Sequence, residues 1–291
     1  MDYVITLIAA QDGQLSQDDI DAVIEEVAPF YHGEKVVLAE KTALDIFLDV
    51  DGVGHLDLPD LKGVDIIYQH ADKRRKKLLL ADMDSTIVQE ESLDEIAAYV
   101  GIHHEISEIT EKAMNGELDF KEALEARVKM LKGLSEIHIQ DVASRVNLTP
   151  GAKILLDTMK HYHARCVLVT GGFEQIVQPI SQNLGFDDFF CNRFVVENGA
   201  LTGQVIEPIF DKNSKRQILE YEMENYKLSE EETMAIGDGA NDIPMLKSAG
   251  LGVGFHAKPA VRREVQNNIK YGDLTALLYA QGYHNVEFIT G

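Results

Sequence analysis

The sequence predicts an α/β fold, a doubly wound parallel sheet with an inserted helical lid, preceded by a small α+β unit. Three observations carry this reading. Strand-like apolar runs at 78–82, 165–170, 233–237 and 251–254 alternate with helical patterns, and strands separated by helices build parallel sheets. The stretch 92–149 interrupts that alternation with helical sequence and no strand signal. Charge changes abruptly near residue 72. Residues 1–72 hold 16 acidic and 3 basic residues, and Lys73-Arg74-Arg75-Lys76-Lys77 follows at once.

The N-terminal unit reads as strand 3–9, helix 17–29, strands 35–40 and 44–50, and strand 64–70. Ile20, Val23, Ile24 and Val27 fall at helical spacing. Gly52, Gly54 and Pro59 break the chain before the last strand. The basic pentad is expected to be a solvated entry to the next strand that neutralises acidic neighbours. Five cations in a chain of net charge −22 make a poor nucleic-acid or membrane patch.

Leu78-Leu79-Leu80-Ala81 is apolar at every position, as a strand buried on both faces must be. Beyond the lid come helix 151–161, strand 165–170 and helix 173–184. Strands 193–197 and 201–206 flank Asn198-Gly199, a strong hairpin signal. Helix 213–226, strand 233–237, helix 241–248 and strand 251–254 complete the alternation. The expected domains are an N-terminal unit over 1–72, a core formed by 73–91 and 150–291, and a cap over 92–149.

Composition narrows the function. The net charge of −22 argues against sequence-independent nucleic-acid binding, which needs a basic face. No apolar run approaches the roughly 20 residues of a membrane helix, and the start of the chain lacks the basic flank of a signal peptide. Cys166 and Cys191 form no disulfide framework. Cys166, inside an apolar run, reads as a buried thiol. The expectation is a cytoplasmic protein with neither membrane nor nucleic acid as partner; a homodimer is left open. His103-His104 and His161-x-His163 lack further ligands at metal spacing and read as exposed. Gly250-Leu251-Gly252-Val253-Gly254 reads as a core strand, not a dinucleotide loop.

The chemistry gathers at strand ends, where open α/β sheets place their ligands. Asp82 and Asp84 close strand 78–82. One can serve as metal ligand or nucleophile and the other as acid and base, although such a pair is often a surface turn. Thr170-Gly171-Gly172 offers a hydroxyl and backbone N–H groups to an oxyanion. Lys215 stands near a helix start, where a cation opposes the macrodipole and so needs another reason. Gly237-Asp238-Gly239-Ala240-Asn241-Asp242 crowds polar side chains onto one tight turn. Each element alone is weak, but their order along the chain is specific.

That order resembles the four motifs of the haloacid-dehalogenase-like phosphatases from about Leu78 to Pro259. The lid segments Glu90-Glu91-Ser92 and Glu111 to Phe120, with Arg127-Val128, are similar to those of the family's phosphoserine-hydrolysing members. Two positions depart from the pattern. Thr170 stands where serine is common, and Glu207, in the segment leading to Lys215, where glycine is common.

The resemblance implies Mg²⁺-dependent hydrolysis of O-phosphoserine through an aspartyl-phosphate. Asp82 is then the nucleophile and Asp84 the acid and base. Mg²⁺ is held by Asp82, the Asp84 carbonyl and Asp238. Thr170, Gly171 and Lys215 neutralise the phosphoryl oxygens, while Asn241 and Asp242 support the site. Glu91 pairs with the substrate ammonium and Arg127 with its carboxylate, and Met114 and Phe120 pack around it. Met114 and Phe120 read equally well as lid core, and Arg127 also reads as part of a surface salt bridge.

Two rival expectations stand beside this one. The first is a phosphotransferase passing the group to homoserine or another small alcohol. The second is a non-catalytic amino-acid sensor, since the N-terminal order is similar to ferredoxin-like regulatory modules.

Overall fold

The computed structural model describes residues 3–10, 13–49, 56, 58–115 and 117–290; the side chains of Met114, Phe120 and Lys212 lie outside that description. The N-terminal unit comprises β1 (Tyr3–Ala9), α1 (Gln17–Glu26), β2 (Tyr31–Ala39), β3 (Ala43–Leu48) and β4 (Val64–His70). The strands form one antiparallel sheet in the order β2-β3-β1-β4. Ser16 starts α1 with a capping box to Asp19. Val23 and Val27 face the sheet and pack with Ile5, Leu7 and Ile46. The expected βαββ–β element order is observed, and between β3 and β4 the described residues contain no second helix.

Next come β5 (Leu78–Ala81) and the four cap helices α2 (Ser92–Tyr99), α3 (His103–Met114), α4 (Phe120–Met130) and α5 (Glu136–Ala143). The chain continues through α6 (Ala152–His161), β6 (Arg165–Phe173), α7 (Glu174–Leu184) and β7 (Asp188–Asn192). The hairpin β8 (Phe194–Glu197) and β9 (Ala200–Val205) turns at Asn198-Gly199, both with positive φ. Then follow α8 (Lys212–Tyr226), β10 (Thr233–Gly237), α9 (Ile243–Ser248), β11 (Leu251–Phe255), α10 (Pro259–Glu264), β12 (Asn267–Ile269) and α11 (Ala276–Ala280). Strands β7 and β12 and helices α10 and α11 have no counterpart in the sequence reading. β12 is three residues long, and β7 is an edge strand that opens on an exposed aspartate.

Six strands form a parallel sheet in the order β12-β11-β10-β5-β6-β7. Alternation along β5 sends Leu79 and Ala81 into one core and Leu78 and Leu80 into the other, so both faces are buried. The chain leaves β5 toward β6 and β7 and returns to its other side through β10. The strand order therefore reverses at β5, and a crevice opens there at the carboxyl ends. Among the described residues, no helix is long and apolar enough to cross a membrane.

The cap rests on the hairpin. Gly133 N donates to Leu201 O and Leu201 N to Leu134 O, both at 2.8 Å. Glu136 N donates to Gly199 O at 3.0 Å.

The pentad corrects one expectation: it is not simply solvated. Arg74 makes a bidentate pair with Asp45, a β3 residue only 1% exposed, and also reaches Tyr279 O. Lys76 is buried with its ammonium on Glu231 O, and burial lowers its pKa to about 8. Neutralisation of neighbours holds elsewhere, with Arg75 on Glu287 and Lys77 on Glu232. Further polar contacts join the N-terminal sheet to the core. Asn267 exchanges hydrogen bonds with the Tyr68 backbone, and Asp65 accepts from the N–H groups of Lys270 and Gly272.

Candidate active site

Asp82 follows β5 directly, and its N–H still bonds to Ile236 O of β10 at 3.0 Å. That bond fixes the carboxylate at the crevice. One tight turn closes behind it, with Val88 N donating to Met83 O. Ser85 takes φ 55°, a left-handed conformation that costs a non-glycine residue energy. The turn presents the Ser85 hydroxyl to Glu91 Oε1 at 2.7 Å. Asp84 accepts from Ser92 N (3.2 Å) and Ser92 Oγ (3.0 Å).

Lys215, one turn into α8, is 1% exposed. Its ammonium bonds to Asp82 Oδ1 and to Asp242 Oδ1, each at 2.6 Å. Here is the reason for a cation at a helix start. The other Asp242 oxygen accepts from Gly239 N at 3.0 Å. Position 237 must be glycine, because a Cβ there would lie 2.4 Å from Asp242 Cγ. Thr170 Oγ1 accepts from Gly172 N at 2.9 Å, so its proton is free to point away from the loop. Asn192 donates to Gly171 O and accepts from Phe210 N, tying this loop to the segment that leads to Lys215.

Asp82, Asp238 and Asp242 each place a carboxylate oxygen within 4.8 Å of the others. Asp242 is spent on Lys215 and Gly239, whereas both Asp238 oxygens are buried without a hydrogen-bond partner among the described residues. Burial and the Glu91, Asp82 and Asp242 charges push the Asp238 pKa well above the usual carboxylate range. Burial, Glu91 and Asp82 do the same to Asp84. Burial and Asp242 raise Asp82, partly offset by Lys215. Burial works against the Lys215 ammonium, but Asp242 and Asp82 more than offset it and raise its pKa. Unpartnered Asp238 oxygens, repelled by neighbouring carboxylates, fit a hard divalent cation.

Asp82, Asp84, Glu91, Thr170, Gly171 and Asn241 line one cavity together with Thr110 and Arg127 of the cap. Arg127 is 7% exposed, which overturns its alternative reading as a surface salt bridge. Its Nε donates to Ala123 O (3.2 Å) and its Nη1 to Thr110 Oγ1 (2.9 Å). Asn241 Oδ1 is buried and has no partner among the described residues. Met114 ends α3 and Phe120 begins α4, but the contacts expected of them fall on side chains outside the described residues.

Thr110, Asp94, Ser92, Ser85 and Asn192 take part in the site, and their roles are absent from the sequence reading. Each is a short polar residue whose partner is decided by tertiary packing, so no spacing rule exposes it.

Residues 79–247 match the model of the haloacid dehalogenase-like hydrolases. The chain is 41% identical to a phosphoserine phosphatase of Mycobacterium tuberculosis over 72% of its own length and 51% of the relative's. It thus spans about half of that relative. With the phosphoserine phosphatase of Saccharomyces cerevisiae it shares 33% identity over 98% of this chain and 97% of the other. A solved structure described as a phospho-aspartyl intermediate analogue of phosphoserine phosphatase superposes with a TM-score of 0.68 at 39% identity. That superposition covers 70% of this chain and 97% of the other. With its family model matched over more than half its length, around the crevice just described, this chain belongs to the haloacid dehalogenase-like hydrolases.

Proposed function

We propose that this chain is a Mg²⁺-dependent phosphatase that cleaves O-phospho-L-serine to L-serine and phosphate. One observation carries the substrate: Glu91 and Arg127, an anion and a cation, line the same cavity as Asp82 and Asp84. A zwitterionic head group attached to a phosphate needs that combination. Relatives bearing the name phosphoserine phosphatase support it. Neither the phosphotransferase nor the sensor reading gains support from any particular observation.

Asp82, the Asp84 carbonyl and Asp238 would hold the Mg²⁺. When bound, it would offset the repulsion between a carboxylate nucleophile and a phosphate dianion. The remaining work falls to the chain itself. An Asp82 oxygen attacks phosphorus as the bond to the serine oxygen breaks, leaving an aspartyl-phosphate. Asp84, with its raised pKa, supplies the proton to the departing serine oxygen. It then takes a proton from the water that attacks the same phosphorus, and Asp82 and phosphate are released. Lys215, the Thr170 hydroxyl and the Gly171 N–H bind the equatorial oxygens. Asp242 holds Lys215 in place. Glu91 receives the ammonium, and Arg127 takes the carboxylate in a charge-assisted fork. The working units are an N-terminal domain over 1–72, a core of 73–91 and 150–291, and a cap over 92–149. Two unpaired cysteines suit a reducing, cytoplasmic setting.

Phosphate release from phosphoserine with Mg²⁺, beside phosphothreonine and p-nitrophenyl phosphate, tests the reading. A clear preference for phosphoserine is expected. Equal rates on all three would reject the substrate, and turnover no faster than that of Asp82→Asn would reject the enzyme.

A further inference from the structure

We infer that Asp94 and Thr110 are positioning residues: they aim the Arg127 guanidinium into the cavity and keep its counter-charge one hydroxyl away. This rests on the reading that Arg127 receives the substrate carboxylate.

The network crosses three cap helices. Asp94 lies on α2, Thr110 on α3 and Arg127 on α4, and all three are less than 10% exposed. Thr110 Oγ1 stands 2.6 Å from Asp94 Oδ1, 3.1 Å from Ile106 O and 2.9 Å from Arg127 Nη1. A hydroxyl has one proton to give. The closer and charged acceptor, Asp94, takes it, which leaves the oxygen lone pairs to accept from Arg127. The hydroxyl is therefore polarised in one direction along the chain of residues.

The arrangement meets two opposing demands. A buried guanidinium without a nearby anion is strongly disfavoured. A carboxylate directly on the fork would instead occupy the donors that a ligand carboxylate needs. Thr110 separates Arg127 from Asp94, Glu91 and Asp84 add negative charge nearby, and Arg127 makes no ion pair with any described residue. Its Nη2 group makes no hydrogen bond to another described residue, while Arg127 itself lines the cavity. Electrostatics run the same way. Burial raises the Asp94 pKa, and both the Thr110 hydrogen bond and the Arg127 charge pull it back. Ser85 does the corresponding work for Glu91, donating to one carboxylate oxygen.

The test compares phosphoserine with phosphoethanolamine, which keeps the ammonium and phosphate but lacks the carboxylate. Steady-state kinetics are measured on the full chain with Mg²⁺ for the native protein, Thr110→Val, Thr110→Ser and Asp94→Asn. Thr110→Val is expected to raise KM for phosphoserine roughly tenfold with kcat nearly unchanged, the size of one charge-assisted hydrogen bond. Its kcat/KM on phosphoethanolamine should stay within about twofold of native, a change too small to represent a lost hydrogen bond. Asp94→Asn should move in the same direction, and Thr110→Ser should restore native behaviour.

Equal losses on both substrates, or none on either, would overturn the proposal. Should Thr110→Val fail to fold, Asp94→Asn and Thr110→Ser carry the same comparison. A native protein that does not prefer phosphoserine to phosphoethanolamine would instead show that Arg127 binds no carboxylate. That result strikes the substrate reading first and is distinguishable from failure of the relay alone.

Discussion

Lys215 Nζ stands 2.6 Å from Asp82 Oδ1, deep in the crevice, with Asp242 at the same distance on its other side. The lysine joins α8 to the end of β5 and to the turn after β10. It holds the proposed nucleophile in place and supplies positive charge where a phosphoryl group would carry negative charge. Lys215→Met should lower kcat by roughly 10²–10³, the range for losing one electrostatic stabiliser of a transition state. It should also destabilise the protein by about 3–5 kcal/mol, because two buried carboxylates lose their cation. Single-turnover kinetics and urea unfolding measure the two effects separately.

Asp238 makes the opposite prediction for stability. Its buried carboxylate has no hydrogen-bond partner among the described residues and is repelled by three other carboxylates. Asp238→Asn should therefore melt at a higher temperature than the native protein when both are metal-free, while losing most of its affinity for Mg²⁺. Calorimetric titration of Mg²⁺ and thermal melts in chelator provide the comparison. A lower melting temperature for the metal-free variant would mean that Asp238 is satisfied in a way its surroundings do not reveal.

The same carboxylates set a pH dependence. Asp82, Asp84, Asp238 and Glu91 all have raised pKa values in the folded state. They bind more protons folded than unfolded, so their contribution to stability is complete below the ordinary carboxylate range and is lost as pH rises through the folded values. Asp82, pushed up to about 7, puts the window between acid and neutral pH. Bound Mg²⁺ favours the ionised forms. The gain in melting temperature on adding Mg²⁺ should therefore grow steadily from about pH 5 to pH 8. Differential scanning fluorimetry with and without the ion measures it, and a gain independent of pH would count against Asp82 and Asp238 as ligands.

Arg74→Ala tests how the N-terminal sheet is held. It strips Asp45 of its bidentate partner at a site 1% exposed. A loss of about 3 kcal/mol in unfolding free energy is expected from leaving one buried charge unpaired. The kcat at 25 °C should be unchanged, because the pair lies outside the crevice.

Much of the core was legible because its signals are local. Leu78-Leu79-Leu80-Ala81 reads as a doubly buried strand, and the polar residues that follow each strand announce the crevice. The nucleophile candidate Asp82 and its cation Lys215 could be named, but not their 2.6 Å contact, which depends on how α8 packs against β5. The Asp94–Thr110–Arg127 relay joins residues 16 and 17 positions apart, on separate helices, and no periodicity marks it. The burial of the Arg74 pair is hidden for a related reason. A run of five cations looks solvated until Asp45 of another sheet is brought against it. The short strand β12 and helix α11 carry too few residues to show a pattern of their own.

Chemical trapping of the acyl-phosphate addresses the mechanism most directly. The full chain would be acid-quenched during turnover of ³²P-labelled phosphoserine with Mg²⁺, then digested and mapped by mass spectrometry. Label on the peptide carrying Asp82, lost in Asp82→Asn, is the expected result. Turnover without labelled protein under conditions that capture an acyl-phosphate, or label on any other residue, would contradict nucleophilic attack by Asp82.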